Sequence, residues 1–238
     1  MEPAMKLRKI PAGAHPDLLY PAYGSTVQRA PGARPLPLPA GATETTGPRF
    51  TGDVLYPHHE DLTKQVAGGE PLGQRIIVAG RVTDDGGRPV PDAMIELWQA
   101  NAAGRYHHER DAHDAPLDPN FRGAGRVFTD GDGLYRFTSI KPGAYPWRNH
   151  ANAWRPAHLH FSVFGRLFRQ RLVTQMYFPG DPLFAYDPIF NAVRDPQARE
   201  LLVARFDLEY TQPEWALAYE WDIVLGRGGL AATPMEDV

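Results

Sequence analysis

His158-Leu159-His160 sets two imidazoles at positions i and i+2. On a strand, side chains at that spacing point to one face, with Cα atoms about 6–7 Å apart. The flanking alternation supports a strand: Leu159, Phe161 and Val163 form an apolar row, and His158, His160 and Ser162 a polar one. Two imidazoles so placed can reach one metal ion. Upstream, Tyr106 and Tyr145 sit in Gly-rich or Pro-rich turns. The available ligand types narrow the choice of ion. Zinc sites favour Cys, His and carboxylate, and the chain has no Cys and no HExxH motif. A ferrous two-His, one-carboxylate site needs an acid, and none stands within a few residues of the histidine pair. Two neutral imidazoles with two phenolates would suit a hard, highly charged ion such as Fe(III). A free phenol has a pKa near 10, but a bound cation can hold it as phenolate.

Competing clusters are weaker. His58-His59-Glu60 and His107-His108-Glu109, with His113, lie in loop-like sequence and read as solvated polar stretches. Asp130-Gly-Asp132-Gly133 lacks the remaining ligand spacing and terminal glutamate of a calcium loop, so it reads as a hairpin turn.

The elements that must position these residues are short. Arg75 to Thr83, Ala93 to Gln99, Arg126 to Phe128, Leu134 to Thr138, His158 to Phe164, Leu172 to Tyr177, Leu201 to Leu208 and Tyr219 to Leu225 are predicted strands. Turn signals such as Asp84-Asp-Gly-Gly87 separate them. Many short strands with Gly and Asp turns imply an all-β sandwich or barrel, the sandwich being the expected fold. Helix is sparse, with a turn or two predicted within Ile189 to Ala198.

Ten of the 24 prolines fall within residues 1–57, which excludes a regular helix or a central strand there. Leu18, Leu19, Tyr20, Tyr23, Leu36 and Leu38 favour an ordered arm over a disordered tail. The expected division is a Pro-rich arm over 1–71, laid on the core and a partner subunit, and a catalytic sandwich domain over 72–238.

Composition excludes several classes. A net charge of −3 without a basic cluster argues against nucleic acid as a partner. No apolar run reaches the length of a membrane span, and the start, MEPAMKLRKI, lacks a secretory apolar segment. Absence of Cys removes disulfides and suits a reducing cytoplasm, the expected location.

Several longer stretches then carry a resemblance. Pro89-Val-Pro-Asp-Ala-Met-Ile-Glu-Leu-Trp98 running on to Tyr106, Phe128-Thr-Asp-Gly-Asp-Gly-Leu-Tyr-Arg-Phe137, Lys141-Pro-Gly-Ala-Tyr-Pro-Trp-Arg148 and Trp154-Arg-Pro-Ala-His-Leu-His160 resemble the intradiol aromatic-ring dioxygenases. The likeness runs from the Pro-rich start to Thr233-Pro-Met-Glu236. It implies one non-haem Fe(III) per chain held by Tyr106, Tyr145, His158 and His160. It implies that Arg155, Tyr145 and Gln175 act in catalysis, and that Tyr23, Trp147 and Arg155 contact substrate. Within the family, the resemblance is to iron-bearing β chains that pair with an α chain lacking the ligands, in higher αβ oligomers. The implied reaction is cleavage of 3,4-dihydroxybenzoate by O2 between its hydroxylated carbons. The implied product is 3-carboxy-cis,cis-muconate, in aromatic catabolism by the β-ketoadipate route. His150-Ala-Asn-Ala153 departs from the family pattern at no ligand position. Two other readings stand beside this one. A catechol or hydroxyquinol dioxygenase would carry a helical N-terminal dimerisation segment in place of the Pro-rich arm. A non-catalytic transthyretin-like sandwich module would need only Gly80 to Leu97.

Overall fold

The computed structural model describes residues 13–34, 36, 55, 58–165, 171–226 and 233–234. Pro35, Pro37, Leu38 and Pro39 of the proline run, and Met235 and Glu236 of the C-terminal motif, lie outside the described residues.

Two sheets face each other. The first joins β1 (Arg75–Asp84), β4 (Leu134–Ile140), β9 (Arg205–Gln212), β10 (Ala216–Glu220) and β11 (Ile223–Leu225). The second runs β3 (Ala124–Phe128), β2 (Met94–Trp98), β7 (His158–Phe164), β8 (Arg171–Tyr177), all antiparallel. Alternation turns Ile76, Val78, Val82, Tyr135 and Phe137 of one sheet toward Ile95, Leu97, Val127, Leu159, Phe161, Val163 and Met176 of the other. Together they form one buried core, the standard solution for two half-apolar sheets. Leu62, in the 3-10 turn Leu62–Lys64, is fully buried in that core, and the Thr138 N–H donates to the Glu60 carbonyl. Among the described residues no helix is long and apolar enough to cross a membrane.

Three predicted elements end differently. Tyr219 to Leu225 is two strands, because β1 changes partner along its length. Ile76–Ala79 run parallel to β10, and Val82–Asp84 run parallel to β11. At the changeover, Trp221 N–H donates to the Ala79 carbonyl and the Asp222 carboxylate accepts from Arg81 N–H. A Cβ on Gly80 would stand 1.8 Å from the Trp221 carbonyl oxygen, so only glycine lets the strands cross there. Leu201 to Leu208 becomes a strand only from Arg205, where pairing with β10 begins. Leu202 is apolar for another reason: it packs with Tyr177, Phe190, Val193 and Ala198 in a second cluster. The predicted helical stretch Ile189 to Ala198 is two short helices, Pro188–Ala192 and Pro196–Glu200. Asp187 and Asp195 cap them, each followed by Pro at the first helical position.

The described part of the arm is docked. The Asn149 carbonyl accepts from Gly24 N–H and its side-chain oxygen from Ser25 N–H, while its amide donates to the Ser25 hydroxyl. Gly13 accepts from Asp195 N–H, and Arg194 pairs with Asp17. Tyr23 and Thr26 are buried, whereas Leu18, Leu19 and Leu36 are exposed.

Candidate metal centre

Each donor of the candidate site is delivered by a local device. Tyr106 follows the turn Asn101 to Arg105. The Asn101 side-chain oxygen accepts from Ala103 N–H and Arg105 N–H, and Gly104 takes φ +79°. Beyond it, Tyr106 N–H donates to the Asp111 carboxylate. The Asn101 carbonyl also accepts from Gly143 N–H, tying this turn to the segment that delivers Tyr145. Tyr145 then enters a two-residue ladder, β5 (Tyr145–Pro146) against β6 (Trp154–Arg155). His158 and His160 lie on β7, where Leu159 enters the core and the two imidazoles face away from it.

The four side chains converge. Tyr106 Oη lies 3.0 Å from His160 Nε2, His160 Nε2 lies 3.2 Å from His158 Nε2, and His158 Nε2 lies 3.3 Å from Tyr145 Oη. Both histidines are buried, and the His160 ring stacks on Trp98 at 4.8 Å with an interplanar angle of 4°. His158 Nδ1 stands 2.7 Å from the Pro156 carbonyl and must donate to it. That hydrogen bond fixes the tautomer and leaves Nε2 as a lone pair facing the other donors. Burial, then the neighbouring Arg155 charge, then His160 hold the His158 pKa well below its ordinary value, so the ring stays neutral.

This donor set fits a cation. Neighbouring donors about 2.1 Å from a common centre and at right angles to one another stand about 3.0 Å apart. The three separations above have that spacing. Among the described residues no three His, Asp or Glu side chains gather as a metal-binding group. His58, Glu60, His107, His108 and Glu109 are exposed.

Arg155 closes one side. Its Nη1 lies 3.5 Å from Tyr145 Oη and 3.4 Å from His158 Nε2. The other end of the guanidinium meets Gln175 Oε1 at 2.5 Å, Tyr177 Oη at 3.0 Å and the Asp187 carboxylate at 2.9 Å. Burial alone would lower the Arg155 pKa. The charge of Asp187, then Tyr177 and Tyr145, outweighs burial and raises it well above the usual value. Trp147 presents its ring 5.4 Å from the guanidinium carbon, and Tyr23 packs edge-on to Trp147 at 5.1 Å. His150 sits 6.0 Å from the Trp147 ring, and the departing loop closes through a hydrogen bond from Trp147 N–H to the Ala153 carbonyl. Tyr106, Tyr145, His158, His160, Arg155, Gln175, Trp147 and Tyr23 thus form one contiguous cluster.

Sequence reasoning missed Asp187 and Tyr177. Asp187-Pro188 is visible as a helix start, and that signal accounts for the aspartate without any contact to Arg155. Tyr177 reads as a strand residue two positions after Gln175.

Comparison with known proteins gives the family. Residues 45–227 match the family described as Dioxygenase, and residues 11–40 match that described as protocatechuate 3,4-dioxygenase beta subunit N terminal. The chain is 57% identical over 224 residues to the protocatechuate 3,4-dioxygenase beta chain of Burkholderia cepacia, with 94% of each covered. It is 31% identical over 172 residues to the alpha chain of the Pseudomonas putida enzyme, covering 71% of this chain and 80% of that one. Among solved structures it resembles the dioxygenase domain of a dioxygenase carbohydrate-binding protein fusion from Streptomyces sp. SirexAA-E. That match has TM-score 0.51 and 25% identity and covers 76% and 94% of the two chains. Fold, donor cluster and sequence likeness lead to one conclusion: the chain belongs to the intradiol dioxygenase family.

Proposed function

We propose that this chain is an iron-bearing β chain that, with a related α chain, cleaves 3,4-dihydroxybenzoate with O2 to 3-carboxy-cis,cis-muconate. Tyr106, Tyr145, His158 and His160 would hold one non-haem Fe(III). The observation that carries this reading is the meeting of two phenol oxygens and two imidazole nitrogens beside the buried guanidinium of Arg155. Bound there, ferric iron would draw electron density from a chelated diol and open its ring to O2.

The protein's own groups do the rest. Tyr145 Oη, 3.5 Å from Arg155 Nη1, is the donor the incoming diol would displace, taking up one of its protons. Arg155 Nη1 points at the place where negative charge gathers as the ring ketonises, a donor aimed at a developing charge. Trp147 forms an aromatic wall for the ring, and Tyr23, packed on Trp147, reaches toward the ring substituent. Both atoms of O2 enter the product, one on each of the two carbons whose bond is broken, so the reaction balances with no other reactant.

The choice of substrate rests on the beta-chain relative and on the arm matched over residues 11–40. Hydroxyquinol and catechol 1,2-dioxygenases are more distant, at 31% and 30% identity. The α chain would complete the pocket, with the Pro-rich arm lying between subunits of a higher αβ oligomer. Its place would be the cytoplasm, in aromatic catabolism by the β-ketoadipate route.

The test is co-expression with an α chain and product analysis under 18O2. Carboxymuconate carrying two labelled oxygens, with 3,4-dihydroxybenzoate preferred over catechol, is expected. No ring cleavage by an iron-loaded αβ complex would refute the reading.

A further inference from the structure

The guanidinium of Arg155 is gripped from behind. Nε donates to Asp187 Oδ1 at 3.1 Å and Nη2 to Asp187 Oδ2 at 2.9 Å, a two-point grip that fixes the plane of the group. Gln175 Oε1 meets Nη2, and that one contact does not set the plane. The Tyr177 hydroxyl stands 2.9 Å from both Asp187 Oδ2 and Gln175 Oε1, and it accepts from Nη2. Arg155, Gln175, Tyr177 and Asp187 are all at least 98% buried. With Nε and Nη2 occupied, Nη1 is the nitrogen left on the donor side, beside Tyr145 and His158. Asp187 is itself fixed: its Oδ1 accepts from Ile189 N–H and starts the helix Pro188–Ala192, whose Phe190 packs on the Tyr177 ring at 5.1 Å.

We propose that Asp187 is a positioning residue for ring cleavage, aiming Arg155 Nη1 at the reacting ring, with Tyr177 as a second prop. This rests on the ring-cleavage reading above. A fold does not need a buried ion pair for stability, because well-packed apolar groups often do as well. A guanidinium that must present one chosen nitrogen does need a partner that binds the other two.

The test uses the αβ holoenzyme with Asp187→Asn, Tyr177→Phe, Arg155→Lys and the double variants. Asp187→Asn keeps an acceptor for Ile189 N–H but opposes Nη2 with an amide and loses the charge. Metal content and the substrate-induced visible band should stay, KM should move less than about threefold, and kcat should fall about a hundredfold, as for loss of an aimed donor. In the Arg155→Lys background the same change should cost less than about threefold, because there is no fork left to aim. In the metal-free αβ complex, the Arg155 Nη2–H held by Asp187 Oδ2 should give an exchange-protected NMR signal that Asp187→Asn abolishes. Unchanged kcat, an equal loss in both backgrounds, or persistence of that signal would overturn the proposal. Should Asp187→Asn not fold, Tyr177→Phe decides: a kcat loss of about tenfold is expected with Arg155 in place and none with lysine there, and wild-type kcat overturns it. A wild-type enzyme without metal or turnover defeats the ring-cleavage reading itself. An active wild type indifferent to Asp187→Asn defeats only the positioning role.

Discussion

Tyr145 and Arg155 are cross-strand partners in the two-residue ladder β5–β6, so the phenol and guanidinium arrive side by side, 3.5 Å apart. The pairing joins a candidate metal donor to the buried cation of Arg155 by backbone register rather than by chance contact of long side chains.

Arg155→Lys tests that cation. A lysine ammonium cannot reproduce the two-point grip on Asp187 or present a fixed second nitrogen. The variant should keep its metal and lose about a hundredfold or more in kcat, roughly 3 kcal/mol of transition-state stabilisation. Metal analysis and steady-state kinetics on one sample check both parts. Normal turnover would remove Arg155 from the reaction.

His160→Ala removes one of the four converging donors and the imidazole stacked on Trp98. The expected result is loss of bound metal with the far-ultraviolet dichroism of the sandwich retained, since His160 faces away from the main core. Full metal occupancy would refute its role as a ligand.

Gly104→Ala tests how the two tyrosine segments meet. Gly104 has φ +79°, and a Cβ there would stand 2.1 Å from the Ala144 carbonyl oxygen, next to Tyr145. The left-handed backbone alone costs alanine about 1 kcal/mol, and the clash must push Tyr106 and Tyr145 apart. Metal affinity should fall at least about tenfold, a loss of about 1.4 kcal/mol or more, read by competition with a chelator. Unaltered affinity would show that the segments are held by other contacts.

Tyr135→Phe addresses the scaffold. The Tyr135 hydroxyl donates to the Trp221 carbonyl at 2.6 Å, and burial, followed by the charges of Asp222 and Glu220, raises its pKa well above the ordinary value. The native state therefore keeps a proton that the unfolded chain releases near pH 10. Its contribution is complete below that pH and is lost as pH rises beyond it. In urea, the variant should be about 1 kcal/mol less stable at neutral pH and should show a shallower decline above pH 10 than the parent. Parallel declines would contradict the assignment.

What the sequence disclosed, and what it did not, follows from how local each signal is. His158 and His160 are legible because strand period alone puts them on one face. Tyr106 and Tyr145 lie 39 residues apart in turns, and only a family resemblance joins them; no periodicity could. The core rows Leu159, Phe161, Val163 and Ile95, Leu97 were visible as alternation. Leu202 misled because an apolar run fits a helix-packing cluster as well as a ladder. Asp187 was hidden because its helix-start signature explains it completely, while its contact with Arg155 spans 32 residues.

The most direct measurement is the visible spectrum of the concentrated, iron-replete protein before and after anaerobic addition of 3,4-dihydroxybenzoate. Tyrosinate bound to ferric iron should colour the protein red, and the substrate should shift the band to longer wavelength. A folded protein that emerges colourless and free of iron, or a band indifferent to substrate, would contradict a ferric centre built on Tyr106, Tyr145, His158 and His160.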